Sequence, residues 1–223
     1  MGRKLELTDT EAFRQLQRLC EASLIEKKPD GTYTLTNYGR LMLELSPTLE
    51  FVFRQKKYFL DHDIWKLPRP LIARLGDLSG ADLKTELAEN VNRLEEMTMS
   101  SEEYVCSMTD QNISSLSHAM AERLQKGVKF RSIIHEKMIG TPLVQLTSGK
   151  NVERRVLPDI PGILVMTEKE ACVSLFLFDG KTDYAAFFGN DPKFLRWTSD
   201  LFLYCWDRGT PLRPSIKSNA PDI

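Results

Sequence analysis

The first thirty-six positions pass from a helical to a strand-like pattern of apolar residues. Thr8 with Glu11 three residues later is a capping-box pair, which favours a helix start at this point. We predict a helix from Thr10 to Cys20 with one buried face, because apolar residues recur there at the spacing of helical turns. These residues are Phe13, Leu16, Leu19 and Cys20.

A short hairpin is predicted directly after this helix. Pro29-Asp30-Gly31 is a turn sequence, since proline fixes φ at the first corner and glycine accepts a positive φ. Tyr33 and Leu35 alternate with threonines, which is typical of a strand. Residues 37–40 then lead into another helix, from Leu41 to Leu45.

The next segment, residues 47–80, is predicted to be a helical linker. A helix is expected from Pro47 to Asp61, because residues 49, 52, 53, 59 and 60 are apolar. Pro68 and Pro70 predict an extended passage, since the residue before a proline avoids the helical region. One short helix from Leu71 to Leu78 is expected to follow.

From residue 82 onwards, strand and helix patterns alternate. The order β-α-β-α-β-β-β-β-α predicts a mixed sheet, and the fold class is therefore α/β (α+β). A partly helical stretch interrupted by Pro142 is expected between two of the strands, and the polar tail 211–223 is expected to be mobile. Helices are predicted at 82–97, 113–125 and 192–207, and strands at 104–108, 128–134, 152–157, 163–166, 171–177 and 183–188.

Composition narrows the classes of function. The 223 residues are 42% hydrophobic and 27% charged, with a formal net charge of -1, so any DNA contact must be local on a neutral body. No apolar run approaches the roughly 20 residues of a membrane helix, and a cytoplasmic location is expected. The four cysteines form no CxxC pair, which favours buried small side chains over a zinc site or a redox thiol.

The helix and hairpin together resemble the second half of a winged helix-turn-helix of the arsenic-repressor-like kind. The resemblance rests on Leu16-x-x-Leu19, Leu24-Ile25-Glu26-Lys27 and Gly31-x-Tyr33-x-Leu35-Thr36-x-x-Gly39-Arg40. It implies that the helix reads double-stranded DNA and that the hairpin is the wing. The implied DNA-binding residues are Thr10, Arg14, Gln15 and Arg18 on the helix, and Lys27 and Lys28 at the wing.

A complete winged helix has two helices before the recognition helix, and only about eight residues precede Thr10. Two expectations follow. Either the native protein has further N-terminal residues that complete the winged helix, or this protein has lost them. The second case leaves a structural helix-hairpin without DNA contact as an alternative.

A second resemblance covers roughly residues 10 to 207. Its motifs are Tyr58-Phe59-Leu60-x-His62-Asp63, Leu67-Pro68-x-Pro70-Leu71 and Arg74-Leu75-Gly76-Asp77-Leu78. In this order they resemble the archaeal methanogenesis-regulatory-protein family, known for a regulator of filament formation in methanogens. The resemblance implies an archaeal transcription regulator with a C-terminal domain that senses a small molecule.

The C-terminal part also resembles half of a phospholipase-D-like fold, whose chemistry depends on His-x-Lys-x4-Asp. The corresponding strand here has Pro161 and Ile163 at the histidine and lysine positions, and neither can attack phosphorus. The His135-Glu136-Lys137 sequence lacks the aspartate in frame. We therefore expect no catalytic residue, no enzyme activity and no cofactor. His62, His118 and His135 lack a metal-ligand spacing, so no metal site is expected.

A ligand pocket is expected where open α/β sheets place one, at the carboxyl ends of the strands. The arginines of this set alternate between the two faces of one strand, and a solvated strand edge is the alternative role for them. The candidate lining residues are His135, Arg154, Arg155, Asp179 and Lys181.

These features divide the chain into a partial winged helix (1–46), a helical linker and dimerisation segment (47–80), an α/β sensing domain (81–210) and a tail (211–223). We expect a homodimer held partly by the Pro47–Asp61 helix, because winged-helix regulators commonly read two half-sites. The expected function is DNA-binding transcription regulation controlled by an unknown small-molecule effector. The alternative is a sensor or protein-interaction module that does not bind DNA.

Overall fold

The amino-terminal part of the protein is a helix, a hairpin and a second, longer helix. The computed structural model describes residues 8–212. Helix α1 (Asp9–Glu21) begins at Thr8, whose side chain accepts from the Glu11 amide while the Glu11 carboxylate accepts from the Thr8 amide, so the predicted capping box is present. The hairpin strands are β1 (Ile25–Lys27) and β2 (Tyr33–Leu35), and Gly31 between them has a φ of 82°.

Helix α2 (Asn37–Arg54) is one continuous helix, whereas two separate helices were predicted. Pro47 lies inside it and has no amide proton to give to the carbonyl of Leu43. The Ser46 hydroxyl donates to that carbonyl at 3.0 Å, which replaces the missing hydrogen bond. The helix therefore runs across the predicted boundary between residues 46 and 47, although the division into domains remains a prediction.

Short helical turns connect α2 to the rest of the chain. Helix α3 (Lys56–Asp61) is followed by a 3₁₀ turn (Ile64–Lys66), helix α4 (Arg69–Ala73) and a second 3₁₀ helix (Leu75–Gly80). The extended passage ends at Pro68, so the prediction was wrong for Pro70, which lies in the first turn of α4. A proline is tolerated there because the first amides of a helix have no partner within it.

The remainder of the described chain builds a mixed sheet. Its helices are α5 (Leu87–Met99), α6 (Ser114–Gln125), α7 (Pro142–Leu146) and α8 (Pro192–Arg208). Its strands are β3 (Asp82–Lys84), β4 (Tyr104–Thr109), β5 (Lys129–His135), β6 (Val152–Leu157), β7 (Gly162–Thr167), β8 (Ala171–Leu175), β9 (Ala186–Gly189) and β10 (Thr210–Pro211).

Within residues 8–212 the strand order of this sheet is β10-β6-β5-β4-β7-β8-β9-β3. Strands β4, β5 and β6 are parallel, and the other neighbouring pairs are antiparallel. The predicted mixed α/β fold is confirmed. The carboxyl ends of β4 and β8 and the amino ends of β7 and β9 therefore lie at the same end of the sheet.

Helices cover both faces of the sheet and create two apolar cores. On one face, α8 packs with the linker helices and with the carboxyl-terminal part of α2, around residues such as Phe51, Phe187 and Trp197. On the other face, α5, α6 and α7 pack on apolar side chains such as Val165 and Phe188. No helix of the described chain is long and apolar enough to cross a membrane.

Three predicted elements of the α/β part were wrong in detail. Residues 82–84 form the edge strand β3 and not the start of a helix, since they pair with β9. Pro142 begins α7 and does not interrupt a helix. The ninth strand starts at Ala186 and not at Asp183. Pro211, the first residue of the predicted tail, pairs with β6 together with Thr210, and residues 213–223 lie outside the described part.

Candidate functional site

The predicted DNA-contacting residues all lie on the exposed surface of the helix and hairpin. Arg14 and Arg18 are one helical turn apart on α1, and Lys27 and Lys28 lie at the end of β1 and in the adjoining turn. None of these four cations forms an ion pair with a carboxylate of residues 8–212. Thr10 and Gln15 are exposed on the same helix. The structure thus leaves the predicted set open to a partner.

The apolar side of α1 is less covered than the sequence predicted. Leu16 and Cys20 are half-buried, but Phe13 is 62% exposed and the helix contains no buried residue. Strand β1 of the hairpin contacts α1 but does not cover Phe13. The prediction of one buried face was therefore wrong for Phe13 and for Leu19, which is also exposed.

The two adjacent arginines of β6 point to opposite faces of the sheet, as predicted. Arg154 donates to the carbonyl oxygens of Val144 and Thr147 and to the Thr147 hydroxyl, and burial lowers the pKa of its guanidinium to about 10. Arg155 donates to the Trp206 carbonyl at 2.6 Å and lies 4.8 Å from the Trp206 ring. Both guanidinium groups therefore bind groups of the protein itself.

The other three predicted ligand residues also form hydrogen bonds within the protein. His135 ends β5, and its Nδ1 accepts from the Lys137 amide at 3.1 Å. Asp179 and Lys181 pair with each other at 2.6 Å on an exposed turn. The five residues do not converge on one cavity in this arrangement, and their role in binding remains a prediction.

A largely apolar cavity of about 40 Å³ lies between the sheet and helices α5 and α6. It is at the end of the sheet where β4 finishes, close to Thr109, and Ile163 from β7 forms part of its wall. Sequence reasoning had placed Ile163 at the lysine position of the phospholipase-D motif. The lining residues are Asn90, Val91, Leu94, Ser107, Thr109, Gln111, Ile113, Leu116, Met120, Leu143, Ile163, Val165, Cys172, Ser174, Thr182, Tyr184, Ala186 and Phe188.

Asn90 is the most buried amide at this cavity, with 3% of its surface exposed. Its Nδ2 donates to the carbonyl of Lys84 at 3.1 Å and to that of Tyr184 at 2.8 Å. Its Oδ1 is buried and has no hydrogen-bond partner, and the same holds for the Thr182 hydroxyl oxygen. Such groups cost free energy when they are left unpaired, so each needs an explanation.

Tyr184 closes one side of the cavity in a strained conformation. Its φ is 64°, in the left-handed region that bulky residues avoid. The Asn90 amide holds its carbonyl, and its hydroxyl donates to Gln111 Oε1 at 3.3 Å. The rim thus depends on two hydrogen bonds that compensate a strained backbone.

The rim segment is also bonded to the linker helices. Asp183, between the cavity-lining residues Thr182 and Tyr184, has its carboxylate 3.2 Å from Nε2 of the buried His62. The other ring nitrogen of His62 lies 2.7 Å from the Tyr58 carbonyl, one turn back in α3. The Leu175 amide donates to the Tyr58 hydroxyl at 2.9 Å. Direct contacts therefore connect the cavity rim to α3, which follows α2.

Sequence reasoning missed Asn90, Gln111, Thr182 and Tyr184. The signal for Asn90 was present, since it lies on the apolar stripe of α5, three residues after Leu87 and four before Leu94. A polar residue on a buried stripe is the exception that indicates a special role. No comparable pattern marks the other three, which lie in loops.

A family model of the methanogenesis regulatory protein FilR1, middle domain, matches residues 88–208. The chain belongs to this family. The matched segment runs from α5 to the end of α8 and includes the cavity. Membership supports the predicted class of transcription regulator at this coarse level. No curated protein matches the chain by sequence.

Solved structures with a similar fold include TrmBL2, described as an archaeal chromatin protein with a novel mode of DNA binding. The TM-score is 0.50 at 13% identity, over 93% of this chain and 84% of that one. Nuc from Salmonella typhimurium, a phospholipase D family member, gives 0.48 at 14% identity over 60% and 99% of the two chains. NucT from Helicobacter pylori gives 0.49 at 13% over 59% and 98%. The first is a likeness of fold. The other two are too weak to support the predicted phospholipase-D-like domain.

Proposed function

We propose that the protein is a DNA-binding transcription regulator whose α/β domain responds to a small molecule. The observation that carries the DNA-binding part is the exposed surface of α1 and the hairpin, on which four cations have no carboxylate partner within the described chain. Membership of a family of regulatory proteins supports the same function. The DNA binding named for TrmBL2, a structure of similar fold, is consistent with it.

The two elements of this surface have different roles. Residues near the start of a recognition helix reach base edges in the major groove, which fits Thr10, Arg14 and Gln15, with Arg18 one turn further on. Lys27 and Lys28 at the wing contact phosphates, which position the protein without reading sequence. With a net charge of -1, this local surface provides the electrostatic attraction.

We further propose that the protein is a homodimer that forms through α2. One side of this helix presents Leu41, Leu45 and Leu49 to solvent, and Phe53 at its end is 78% exposed. An apolar stripe of this length favours a partner, and a second copy of α2 offers the same stripe. Sedimentation equilibrium of wild type and Leu45→Ala tests this. A wild-type monomer at micromolar concentration contradicts it.

The sensing part of the proposal is supported by the cavity and its link to α3. A ligand shifts a conformational equilibrium only when it binds one state better than the other. Binding at the cavity changes the surroundings of residues 182–184, and the carboxylate in this segment contacts His62 at the end of α3. Movement there reaches α2, which leads back to the wing.

The DNA-binding test compares two double variants that remove the same charge. DNA fragments are first selected on the wild-type protein from a genomic library. Affinity is then measured by fluorescence anisotropy between about 50 and 200 mM salt. The double variant Lys27→Ala with Lys28→Ala is expected to weaken binding to all sequences alike. It is also expected to lower the magnitude of the slope of log affinity against log salt concentration by about 2, roughly one per lost phosphate contact.

Lys56→Ala with Lys57→Ala is the matched control, because both lysines are exposed on α3, away from the wing. This control is expected to keep the wild-type slope. Arg14→Ala is expected to relax the preference among selected sequences, because a base contact contributes about 1–3 kcal/mol of discrimination. Equal slopes for the two lysine pairs contradict the placement. No DNA binding by the wild type favours the alternative, a sensor or interaction module.

A further inference from the structure

We propose that the cavity between the sheet and helices α5 and α6 binds a small, uncharged, mostly apolar molecule that donates a hydrogen bond to Oδ1 of Asn90. This proposal names the ligand class and the site for the sensing part of the proposed function, on which it rests. It differs from the predicted site at His135, Arg154, Arg155, Asp179 and Lys181, none of which lines this cavity.

The orientation of the Asn90 amide is fixed by its partners. Both neighbours of its nitrogen, the carbonyls of Lys84 and Tyr184, can only accept hydrogen bonds. The nitrogen must therefore face them, and the remaining atom is the carbonyl oxygen. This Oδ1 is buried without a partner, so the ligand that completes the site must supply a donor, such as a hydroxyl or an N–H.

The lining decides the charge of the ligand. Within residues 8–212, no aspartate, glutamate, lysine, arginine or histidine lines the cavity. An ion in such surroundings has no counter-charge and loses its hydration, which is strongly unfavourable. Burial also raises the pKa of the Cys172 thiol in the cavity wall, so the sulfur stays neutral. An anion or a phosphodiester does not fit this site.

The cavity volume and its rim set the size of the ligand. About 40 Å³ is about three times the roughly 10–15 Å³ that one water requires, so the cavity has room for a few heavy atoms. Tyr184 at the rim has a strained φ of 64° and a hydroxyl bonded to Gln111. Releasing both hydrogen bonds of Tyr184, to Gln111 and to Asn90, lets the rim relax and provides an entry route.

The probes that test the site are two matched series of molecules. Straight-chain primary alcohols from methanol to hexanol carry one donor on an apolar chain. Methyl ethers of equal length are similar in shape but cannot donate. Binding to the full chain is followed by NMR of the methyl groups of Val91, Leu94, Ile163 and Val165, all in the cavity wall. We expect the alcohols to bind about tenfold more tightly than the ethers, because only they satisfy a buried acceptor.

Two variants locate the binding. Val91→Phe places a ring in the cavity from the half-buried side of α5 and is expected to abolish binding. Asn92→Phe adds the same ring to the exposed side of α5 and is the matched control, which is expected to bind like wild type. Asn90→Ala is expected to remove the preference for alcohols over ethers. If this variant does not fold, the Val91 and Asn92 pair still decides the result.

Three outcomes overturn the proposal: no methyl shift in the wild type with any probe, equal affinity for alcohols and ethers, or binding that survives Val91→Phe. In the first case, an internal water becomes the candidate partner of Asn90. DNA affinity, measured separately with and without the tightest alcohol, bears on the proposed function alone. A bound alcohol that leaves DNA affinity unchanged supports the cavity as a binding site and contradicts its role in regulation.

Discussion

The amino-terminal helices and hairpin differ from the α/β part in how much of each is buried. Between residues 8 and 50, Gly39 is the one buried residue, whereas β7 and β8 are buried along their whole length. Ordering a chain costs conformational entropy that apolar burial must offset. The amino-terminal part therefore has little stability of its own and a large surface for partners, and the α/β part holds the fold.

The change from the exposed amino-terminal part to the buried α/β part occurs within helix α2. Phe51 of α2 is 1% exposed and packs 5.6 Å from the Phe187 ring. Phe53, two residues further on, is 78% exposed. Thr48 is also bonded to the core side, since its hydroxyl donates to the Ala73 carbonyl at 2.9 Å. The carboxyl-terminal end of α2 is thus part of the core, and its first three turns are not.

The largest expected effect comes from truncating these two phenylalanines in turn. Phe51→Ala is expected to lower the free energy of unfolding by about 3–5 kcal/mol, because it leaves a cavity between α2 and the sheet. Phe53→Ala is expected to change it by no more than about 0.5 kcal/mol, since its ring is in solvent. Urea unfolding at low protein concentration measures both.

Comparable losses for the two variants contradict the boundary drawn within α2. If the loss for Phe53→Ala grows with protein concentration, the exposed ring is covered by a second copy in solution. That result assigns the missing burial of the amino-terminal part to the dimer.

Cysteine reactivity separates the two parts in the same way. Cys20 on α1 is half-buried, and the other three cysteines are buried in the α/β part. Burial raises the pKa of Cys106 to about 11 and that of Cys205 to about 11, and raises the pKa of Cys172 further. Since the thiolate is the reactive form, Cys20 is expected to react with a disulfide reagent at pH 8 about 100-fold faster than these three.

A time course of the coloured product released by the reagent is expected to show one fast and three slow thiols. Cys20→Ser is expected to remove the fast phase alone. Unfolding in urea is expected to make all four thiols fast. A second fast thiol in native Cys20→Ser protein shows that the α/β core opens more readily than its packing indicates.

The fold was predictable where local signals and burial agree. The capping box at Thr8 and the Pro-Asp-Gly turn were predicted correctly, because each depends on neighbours in sequence. Strand β3 was not, since three residues at a sheet edge show no periodicity and depend on pairing with β9. The continuity of α2 depended on a side-chain bond from Ser46, which no propensity reports.

The site was less predictable than the fold. The exposed position of the cations on α1 and the hairpin could be predicted from the local sequence. The cavity brings together residues 90, 111, 182 and 184, which meet only through the sheet topology. The contact between His62 and Asp183 spans 121 positions. The ligand candidates predicted from sequence were mostly charged residues. Of these, Arg154 and Arg155 donate hydrogen bonds to groups of the protein itself.

A smaller effect is expected at Gly39, where α2 packs closely against the residue before the hairpin. A Cβ added to Gly39 lies 1.9 Å from the Leu24 carbonyl oxygen, so α2 and the hairpin must separate. Gly39→Ala is expected to cost about 1–3 kcal/mol, mainly as faster amide hydrogen exchange in α1 and the hairpin. It is also expected to weaken DNA binding, because the helix and wing lose their relative placement.

Gly149→Ala is the matched control, since nothing lies within 4 Å of its added Cβ and its φ is ordinary. It is expected to leave stability unchanged or to raise it by about 0.4–1 kcal/mol. If Gly39→Ala also speeds exchange throughout the sheet, the two parts unfold together and do not differ in stability.

The smallest expected effect comes from removing one helix cap in each of the two parts. The Thr36 hydroxyl caps α2 by accepting from the Gly39 amide at 2.9 Å, and the Asp191 carboxylate caps α8 by accepting from the Lys193 amide at 2.9 Å. Each change to alanine is expected to cost about 1 kcal/mol. The cost should appear in different places, because a cap stabilises the cooperative unit that contains it.

Thr36→Ala is expected to speed exchange in α1, the hairpin and the first turns of α2, with little change in the urea midpoint of the α/β part. Asp191→Ala is expected to lower that midpoint and to leave exchange in the hairpin as it is. Hydrogen exchange resolved along the chain distinguishes the two patterns. Since each cap accepts a hydrogen bond from an amide in the first turn of its helix, a difference in where the loss appears reports on the packing around each helix. The same pattern for both variants means that residues 8–212 form one cooperative unit, in which the exposed amino-terminal surface is supported by the core.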